Sequence, residues 1–453
     1  MTQQVRHWSM MVYLALVLIL GGASAAGYTG NMALQFAGSG LIAWSLWNTQ
    51  PDRNLAIGLK VFLVAFAGVA ALQFLPLPPV LWSKLAGRDA IAHGYELAGM
   101  APPWLTYSLD PWGSLQSLIW WIPAFALFVL ARDRDAPTTR QLVWTIAVVA
   151  YASALMAGVQ AFAGSGYFYS ITNRGNGVGF FANSNHLGTF MLMAMALVAG
   201  QWLHDKPLGQ HRKPRLAPGY VLAGLLAPLA IGVVLSGSLA CQMLLIPTIA
   251  GIALIARPDF RINWWLTGAV GVLVSVGLVW LLASGLVSND LMSKSGTAGI
   301  SRGEFLANGA QMLRSFAPFG SGLGTFRDIY PWYEDAAKVG TTYVNHAHND
   351  LLEMLIELGL LGAGLLVLFL HWFARVAWTR WNGLRAENPL ALAATLAIAI
   401  ALVHSLVDYP LRTAAVSGLI ALCCVIARRE PDPRGALSAD NSGAGRREVL
   451  MNI

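Results

Sequence analysis

Charged side chains are scarce in this sequence. Asp, Glu, Lys and Arg together make up 11% of its 453 residues, while 56% of the residues are hydrophobic. Ordinary soluble domains carry about 25% charged residues, so the shortage excludes a typical soluble protein. Several apolar runs reach the roughly 20 residues that a helix needs to cross a bilayer. The composition therefore predicts an all-α polytopic membrane protein.

Cysteine is also scarce, because only Cys241, Cys423 and Cys424 are present and all three lie in apolar segments. They form neither a disulfide framework nor a metal-binding spacing. His346 and His348 are two apart without a matching carboxylate cluster, which is a weak metal signal. Phosphate-binding loops and dinucleotide fingerprints are missing as well. We therefore expect no metal and no cofactor, and a donor that arrives already activated.

Apolar segments dominate what is present. We predict twelve transmembrane spans, at approximately 9–27, 31–48, 54–75, 115–131, 141–163, 185–203, 220–235, 239–256, 264–286, 350–374, 389–407 and 411–427. The first span also fits a cleavable signal peptide, since Arg6 precedes an apolar run that ends in Ala23-Ser24-Ala25. Cleavage would leave eleven spans in the same orientation.

Basic residues are unevenly distributed around these spans. Nineteen Lys and Arg fall in the segments predicted to lie inside, nine fall in longer outer segments, and Lys60 lies within a span. The positive-inside rule then places both termini in the cytoplasm. The net charge of +7 mostly flanks the membrane, so no nucleic-acid partner is expected. Residues 1–427 form the predicted transmembrane domain with a large outer loop at 288–349, and residues 428–453 form a tail predicted to be disordered.

The stretch from Asn345 to Gly362 organises the chain. If it is one continuous helix, its small and apolar positions share a face with one imidazole: His348, Leu352, Leu355, Gly359 and Gly362. The two glycines would then form a flat patch for a neighbouring helix below the imidazole. His348 would lie at the outer rim of a span, where a helix N-terminus favours anions.

Three carboxylates of the same segment, Asp350, Glu353 and Glu357, are predicted to point mostly to the opposite side. Glu353 and Glu357 are four residues apart, and we expect them to pair with a neighbouring helix inside the bundle.

Polar residues also gather in three other outer places. Arg174 lies in the run 172–186, Arg302 lies early in the large loop, and His404, Asp408 and Arg412 lie where two spans meet. Each has an alternative reading. An isolated outer arginine is more often a lipid-headgroup contact, and the cluster 404–412 could simply close a helical hairpin. Asn183, Asn185 and His186 could cap the sixth span or contact a substrate.

These residues resemble the bacterial O-antigen ligase family. His348-Asn349, nine residues and then Gly359-x-x-Gly362 matches the H-N-x9-G-x-x-G pattern of that family. The run RGNGVGFFANSNH from Arg174 is similar to the R-x-x-G-x-F-x-N-x-N stretch, with Ser184 where proline is frequent. SRGEF, which contains Arg302, and PFGSGLGTF resemble the second arginine and its glycine-rich turn. HSLVDYPLR resembles an ending of exopolysaccharide-type members, and the matches span about 170–412.

The resemblance implies a fold related to the membrane-bound GT-C glycosyltransferases, in the bacterial inner membrane. It implies transfer of a glycan from undecaprenyl pyrophosphate to lipid A–core or to a growing polysaccharide, at the periplasmic face. His348 would be the base, Arg174 and Arg302 would bind the pyrophosphate, and no metal would be needed. The expected supporting residues are His346, Asn349, Gly359, Gly362, Asn183, Asp408 and Arg412.

A polytopic transporter or lipid-linked glycan flippase is the alternative from another class. Transporters usually place ionisable residues near the bilayer midplane, in broken helices of two related halves. In this sequence the polar residues gather at one rim and the halves do not repeat. This distribution favours a transferase.

Overall fold

The computed structural model describes residues 3–25, 28–48, 57–132, 136–205, 217–257, 302–336, 344–382 and 388–428. The predicted span 264–286 and the tail after residue 428 lie outside the described residues, as do parts of the loop 288–349. The expectations for these segments remain predictions.

Helices make up most of the described chain. Those of the first half are α1 (Gln3–Leu20), α2 (Thr29–Asn48), α3 (Ile57–Leu72), α4 (Pro79–Trp82), α5 (Asp89–Leu97), α6 (Pro111–Trp120), α7 (Ile122–Ala131), α8 (Ala136–Ala163), α9 (Ser184–His204), α10 (Ala217–Leu235) and α11 (Leu239–Ala256). Those of the second half are α12 (Arg302–Phe316), α13 (Phe326–Ile329), α14 (Asp350–Asn382), α15 (Pro389–His404) and α16 (Ala414–Arg428). Two short strands, β1 (Pro76–Leu77) and β2 (Leu105–Thr106), pair antiparallel.

Eleven of the twelve predicted spans coincide with these helices. Among the described residues, five helical segments are long and apolar enough to cross a membrane: Pro111–Ala131, Thr138–Ala163, Ser184–His204, Leu239–Ala256 and Asp350–Asn382. The other apolar helices are shorter or less apolar. The chain is therefore a polytopic helical membrane protein, and the full count of twelve spans remains a prediction.

Helix α9 lies at the centre of the bundle. Nearly all of its residues are buried, and it packs against α15, α10, α11 and α8. Small residues allow this close packing, as they do between membrane helices in general. A Cβ on Gly188 would lie 2.6 Å from Cys241 Sγ of α11, so only glycine fits this crossing.

Helix α14 is broken at Gly359, which has φ 54° and ψ −135°. The part from Leu360 to Asn382 is about 34 Å long at 1.5 Å per residue, enough to cross a hydrocarbon core of ~30 Å by itself. The continuous helix predicted from His348 to Gly362 is therefore wrong. His348 precedes the helix with a φ of 50° and does not lie on one face with Gly359 and Gly362.

The break exists because a loop supplies other hydrogen-bond partners. Ser321 N donates to Ile356 O (3.1 Å), Gly322 N donates to Glu357 O (2.8 Å), and Leu360 N donates to Pro318 O (2.8 Å). These bonds replace the helical ones that a turn at Gly359 interrupts.

The flat glycine patch expected for a neighbouring helix is also absent from this part of the chain. A Cβ on Gly359 would meet the loop itself, 2.7 Å from Phe319 C, and a Cβ on Gly362 would meet Leu358 and Met354 of its own helix. Both glycines therefore serve the break and its loop.

The loop that contacts α14 belongs to a second, smaller core. The helix α12 is amphipathic, and its buried face joins Phe305, Met312 and Phe316 to Phe326 and Tyr330. The glycine-rich turn follows it as expected.

The first outer segment supports this second core. Arg88 is fully buried, and burial lowers its pKa to about 10. Its guanidinium donates to the carbonyls of Thr106 and Tyr107, and the Tyr107 hydroxyl donates to Phe319 O at 2.6 Å. The first outer segment therefore holds the glycine-rich loop in place through the hydrogen bond from Tyr107 to Phe319.

Replacing Gly359 by alanine is expected to destabilise the protein. The conformation at this position is open almost only to glycine and costs about 1–3 kcal/mol for other residues, before the contact with the loop backbone is counted. Thermal unfolding of the purified protein in detergent measures the effect. Gly364→Ala is the matched control, because a Cβ there meets nothing within 4 Å. Equal stability of the two variants would contradict the break.

Candidate active site

Several helix ends meet at one end of the bundle. His346 and His348 lie just before α14, Asn183 lies just before α9, and the turn 405–413 joins α15 to α16. The histidines and this turn are therefore close in space, although about 60 residues separate them in the sequence.

His348 faces the turn between α15 and α16. Its Nδ1 lies 3.5 Å from Asp408 Oδ1, and its ring centroid lies 5.0 Å from those of Tyr409 and Phe305. Its positive φ is unusual for a residue with a side chain, and such strain often marks a functional site. The side chain is 24% exposed, so a substrate can reach it.

Asp408 is buried beside this imidazole. Burial alone would raise its pKa, but the neighbouring histidines His348 and His186 lower it well below its usual range, so the group is a carboxylate. At 3.5 Å the contact is too long for a strong hydrogen bond, so the carboxylate acts through its charge, which stabilises the imidazolium that forms. The pair can act as a general base.

Tyr409 lies between three histidines. Its ring centroid is 4.7 Å from His346, 4.9 Å from His186 and 5.0 Å from His348. Burial raises the pKa of its phenol, and Asp408 raises it further, so the hydroxyl remains protonated. Tyr409 therefore positions the imidazoles and does not supply charge.

Arg412 holds three buried carboxylates together. Its Nη2 lies 3.3 Å from Glu353 Oε1 and 3.3 Å from Glu357 Oε2, and its Nε lies 3.6 Å from Asp350 Oδ1. The sequence predicted that Glu353 and Glu357 pair inside the bundle, and they do. Their partner, however, lies in a turn and not in a neighbouring helix, and Asp350 points to the same arginine.

His346 is already engaged in this network. Its Nδ1 lies 2.8 Å from Glu353 Oε1, and the other oxygen of Glu353 accepts a hydrogen bond from Ala347 N at 2.8 Å. Its side chain is 12% exposed, half as much as that of His348. His346 is therefore less available than His348 to a substrate.

Two asparagines of the predicted site cap helices. Asn349 Oδ1 accepts hydrogen bonds from Leu351 N and Leu352 N, and its Nδ2 donates to Leu406 O at 2.8 Å. Asn183 Oδ1 accepts from Asn185 N at 2.9 Å. Asn349 therefore connects the start of α14 to the end of α15. Asn183 caps the N-terminus of α9, which is one of the two roles that the sequence allowed.

The two predicted phosphate-binding arginines are less fully described. Arg174 is exposed, and its guanidinium carbon lies 5.6 Å from the centre of the Tyr167 ring. Its loop is anchored to α9 because Ser184 N donates to Asn173 Oδ1 at 3.0 Å. Arg302 is the first residue of α12, and its side chain lies outside the described residues. Their role in the site remains a prediction.

Sequence reasoning missed the central place of Tyr409. His186, which the sequence offered as a cap or a substrate contact, is fully buried, and neither ring nitrogen has a hydrogen-bond partner among the described residues. Tyr409 lies inside the run 404–412 that the sequence singled out, but an aromatic residue in an apolar setting gives no separate signal. Within the described residues, no group of three or more His, Cys, Asp or Glu side chains has a metal-binding arrangement.

Comparison with known families adds one match. The family model described as O-Antigen ligase matches residues 223–370, which include His348, Gly359 and Gly362. The family resemblance seen in the sequence is thereby confirmed. The match indicates a membrane glycan transferase of the O-antigen ligase or polymerase kind. No curated protein matches the chain.

Proposed function

We propose that this chain, whose residues 223–370 match the O-antigen ligase family model, is an inverting, metal-independent glycan transferase. In this proposal it moves an oligosaccharide or polysaccharide from undecaprenyl pyrophosphate to an acceptor hydroxyl. The acceptor is lipid A–core or a growing polysaccharide. The reaction takes place at the periplasmic face of the inner membrane, with both termini of the protein in the cytoplasm.

The pair His348–Asp408 is the observation that carries this proposal. The acceptor hydroxyl must lose a proton as its oxygen bonds to the sugar C1, and an imidazole backed by a carboxylate takes such a proton near neutral pH. The bond between C1 and the pyrophosphate oxygen breaks as the new bond forms. Because the acceptor attacks opposite the leaving group, the anomeric configuration inverts.

The charge around His348 bears on where the pyrophosphate binds. Arg412 is engaged by Asp350, Glu353 and Glu357, so its guanidinium is not available to bind a pyrophosphate. The donor's pyrophosphate belongs instead beside Arg174 and Arg302, whose guanidinium groups match phosphate oxygens geometrically.

Arg174→Ala and Arg302→Ala are each expected to cost about 2–4 kcal/mol of transition-state stabilisation, because each removes a donor that stabilises the departing charge. Lysine restores part of the rate, since it keeps the charge but not the bidentate geometry. The rate of transfer from a lipid-linked oligosaccharide measures the effect. Arg314→Ala, an exposed arginine on α12, is the control and should keep the wild-type rate. Full activity in either predicted variant would remove that arginine from the site.

Transfer by the purified protein tests the function itself. Undecaprenyl-pyrophosphate-linked oligosaccharide is supplied with either lipid A–core or a second copy of the donor. A product on lipid A–core identifies a ligase, and a longer lipid-linked chain identifies a polymerase. EDTA should not reduce the rate. Failure of both products with protein that still binds the donor would overturn the proposal.

One observation favours a transporter as the second candidate. The break at Gly359 gives α14 the form of the discontinuous helices that line transporter sites. The break, however, lies in the first third of the helix, and the polar cluster lies at helix ends. Translocation of the lipid-linked glycan in vesicles that lack an acceptor would support this second candidate.

A further inference from the structure

A cavity of about 250 Å³ lies between α12 and the residues that follow α13. Its walls combine three aromatic rings, two carboxamides and three carboxylates. Pockets for drug-sized ligands usually measure about 300–1,000 Å³. A ligand of one or two small rings therefore fits it.

The aromatic rings provide flat apolar walls. Trp332 is 55% exposed, although its large ring would normally be buried or used in binding. Tyr330 is held rigidly, because its ring lies 5.3 Å from that of Phe326 and its hydroxyl accepts a hydrogen bond from Asn308 Nδ2 at 3.1 Å. Tyr330 is only 1% exposed, so Trp332 supplies the flat surface that packs against the C–H face of a pyranose.

The polar walls suit hydroxyl groups. Carboxylates of Glu304 and Glu334 accept hydrogen bonds, while the carboxamides of Asn308 and Gln311 both donate and accept. Burial raises the pKa of Tyr330, the hydrogen bond from Asn308 lowers it, and the carboxylates of Glu334 and Glu304 raise it, so the phenol stays protonated. A sugar ring with several hydroxyl groups can therefore form hydrogen bonds to several walls of the cavity.

The described lining of the cavity is acidic. Glu304, Glu334 and Asp335 line it, and none of the described lining residues is basic. Phosphates and uronic acids are therefore disfavoured. Of the sugar and pyrophosphate parts of a lipid-linked glycan, only the sugar part is compatible with this cavity.

Phe305 connects the cavity to the candidate base. Its ring lies 5.0 Å from His348 on one side and 6.0 Å from Tyr330, a cavity wall, on the other. One aromatic ring thus separates the two. Phe305 is 3% exposed, so a glycan chain would have to run around this ring, but the two distances are short enough for one short chain to contact both His348 and the cavity.

We propose that this cavity is a glycan subsite that binds an uncharged or amino-substituted hexopyranose unit near the reacting sugar. The inference rests on the proposed function for its substrate, because it assumes that glycan chains react at His348. Beyond the proposed function, the subsite specifies which part of the glycan is recognised and which protein residues recognise it. The unit belongs to the donor or to the acceptor, since both carry the same chemistry.

Binding of soluble trisaccharides to the purified full-length protein in detergent tests the subsite without requiring transfer. The probes are maltotriose, chitotriose, a glucosamine trimer and trigalacturonate, observed by saturation-transfer NMR. We expect binding of at least one of the first three and much weaker binding of trigalacturonate. Trp332→Ala should weaken that binding at least fivefold, since it removes the exposed aromatic wall. Trp104→Ala, at 65% exposure and away from the cavity, is the matched control.

The outcomes separate the subsite from the proposed function. No binding of the three uncharged or amino trisaccharides, or equal losses in both tryptophan variants, overturns the subsite. Sugar binding that depends on Trp332 in a protein that never transfers glycan keeps the subsite and overturns the transferase. Where transfer occurs, a higher KM for the lipid-linked donor in Trp332→Ala assigns the unit to the donor, and a higher KM for the acceptor assigns it to the acceptor.

Discussion

His348→Asn is expected to lower single-turnover glycan transfer by about 10²–10⁴-fold, the usual effect of removing a general base. Asparagine is the sharper choice than alanine, because it tolerates the positive φ of 50° at this position. The loss then reports the missing imidazole and not a changed backbone. Binding of the lipid-linked donor should persist, since the arginines that hold the pyrophosphate remain.

His346→Ala is the comparison for this experiment. His346 packs on the same Tyr409 ring but is engaged by Glu353 at 2.8 Å. Its removal should leave measurable transfer. Wild-type turnover in His348→Asn would make the proposed mechanism wrong, and a larger loss in His346→Ala than in His348→Asn would exchange the two roles.

Arg412→Met is expected to destabilise the folded protein by about 3–5 kcal/mol. Removing one partner of a buried ion pair leaves an uncompensated charge, and here the side chains of three buried acids, Asp350, Glu353 and Glu357, lose their common cation. The free energy of unfolding in detergent, from denaturant titration, measures the loss. Arg412→Lys should lose less, because it keeps the charge without the planar geometry that reaches all three.

An exposed ion pair provides the control for Arg412. Arg140 Nε lies 3.1 Å from Asp205 Oδ2, with side chains 60% and 27% exposed. Such surface pairs contribute about 0–1 kcal/mol, so Arg140→Met should have little effect. Adding Glu357→Gln to Arg412→Met should recover part of the stability, since one unpaired carboxylate is removed. Equal stability of Arg412→Met and Arg140→Met would show that the cluster does not depend on its arginine.

Local sequence determined where the helices lie and which residues to examine. Hydropathy over about 20 residues placed eleven predicted spans on helices, because burial of an apolar run in lipid depends on that run alone. The motif around His348 and Gly359 was also visible, since its spacing is short.

Tertiary structure decided how these residues meet. The break at Gly359 depends on Ser321 and Gly322, which donate to carbonyls 35 residues further along the chain. A helical projection of residues 348–362 contains no such information. Arg412 likewise reaches Glu357, 55 residues earlier, only because α14, α15 and α16 meet at one end of the bundle. Hydropathy describes each segment separately, whereas the partners of buried charges depend on which segment ends the packing brings together.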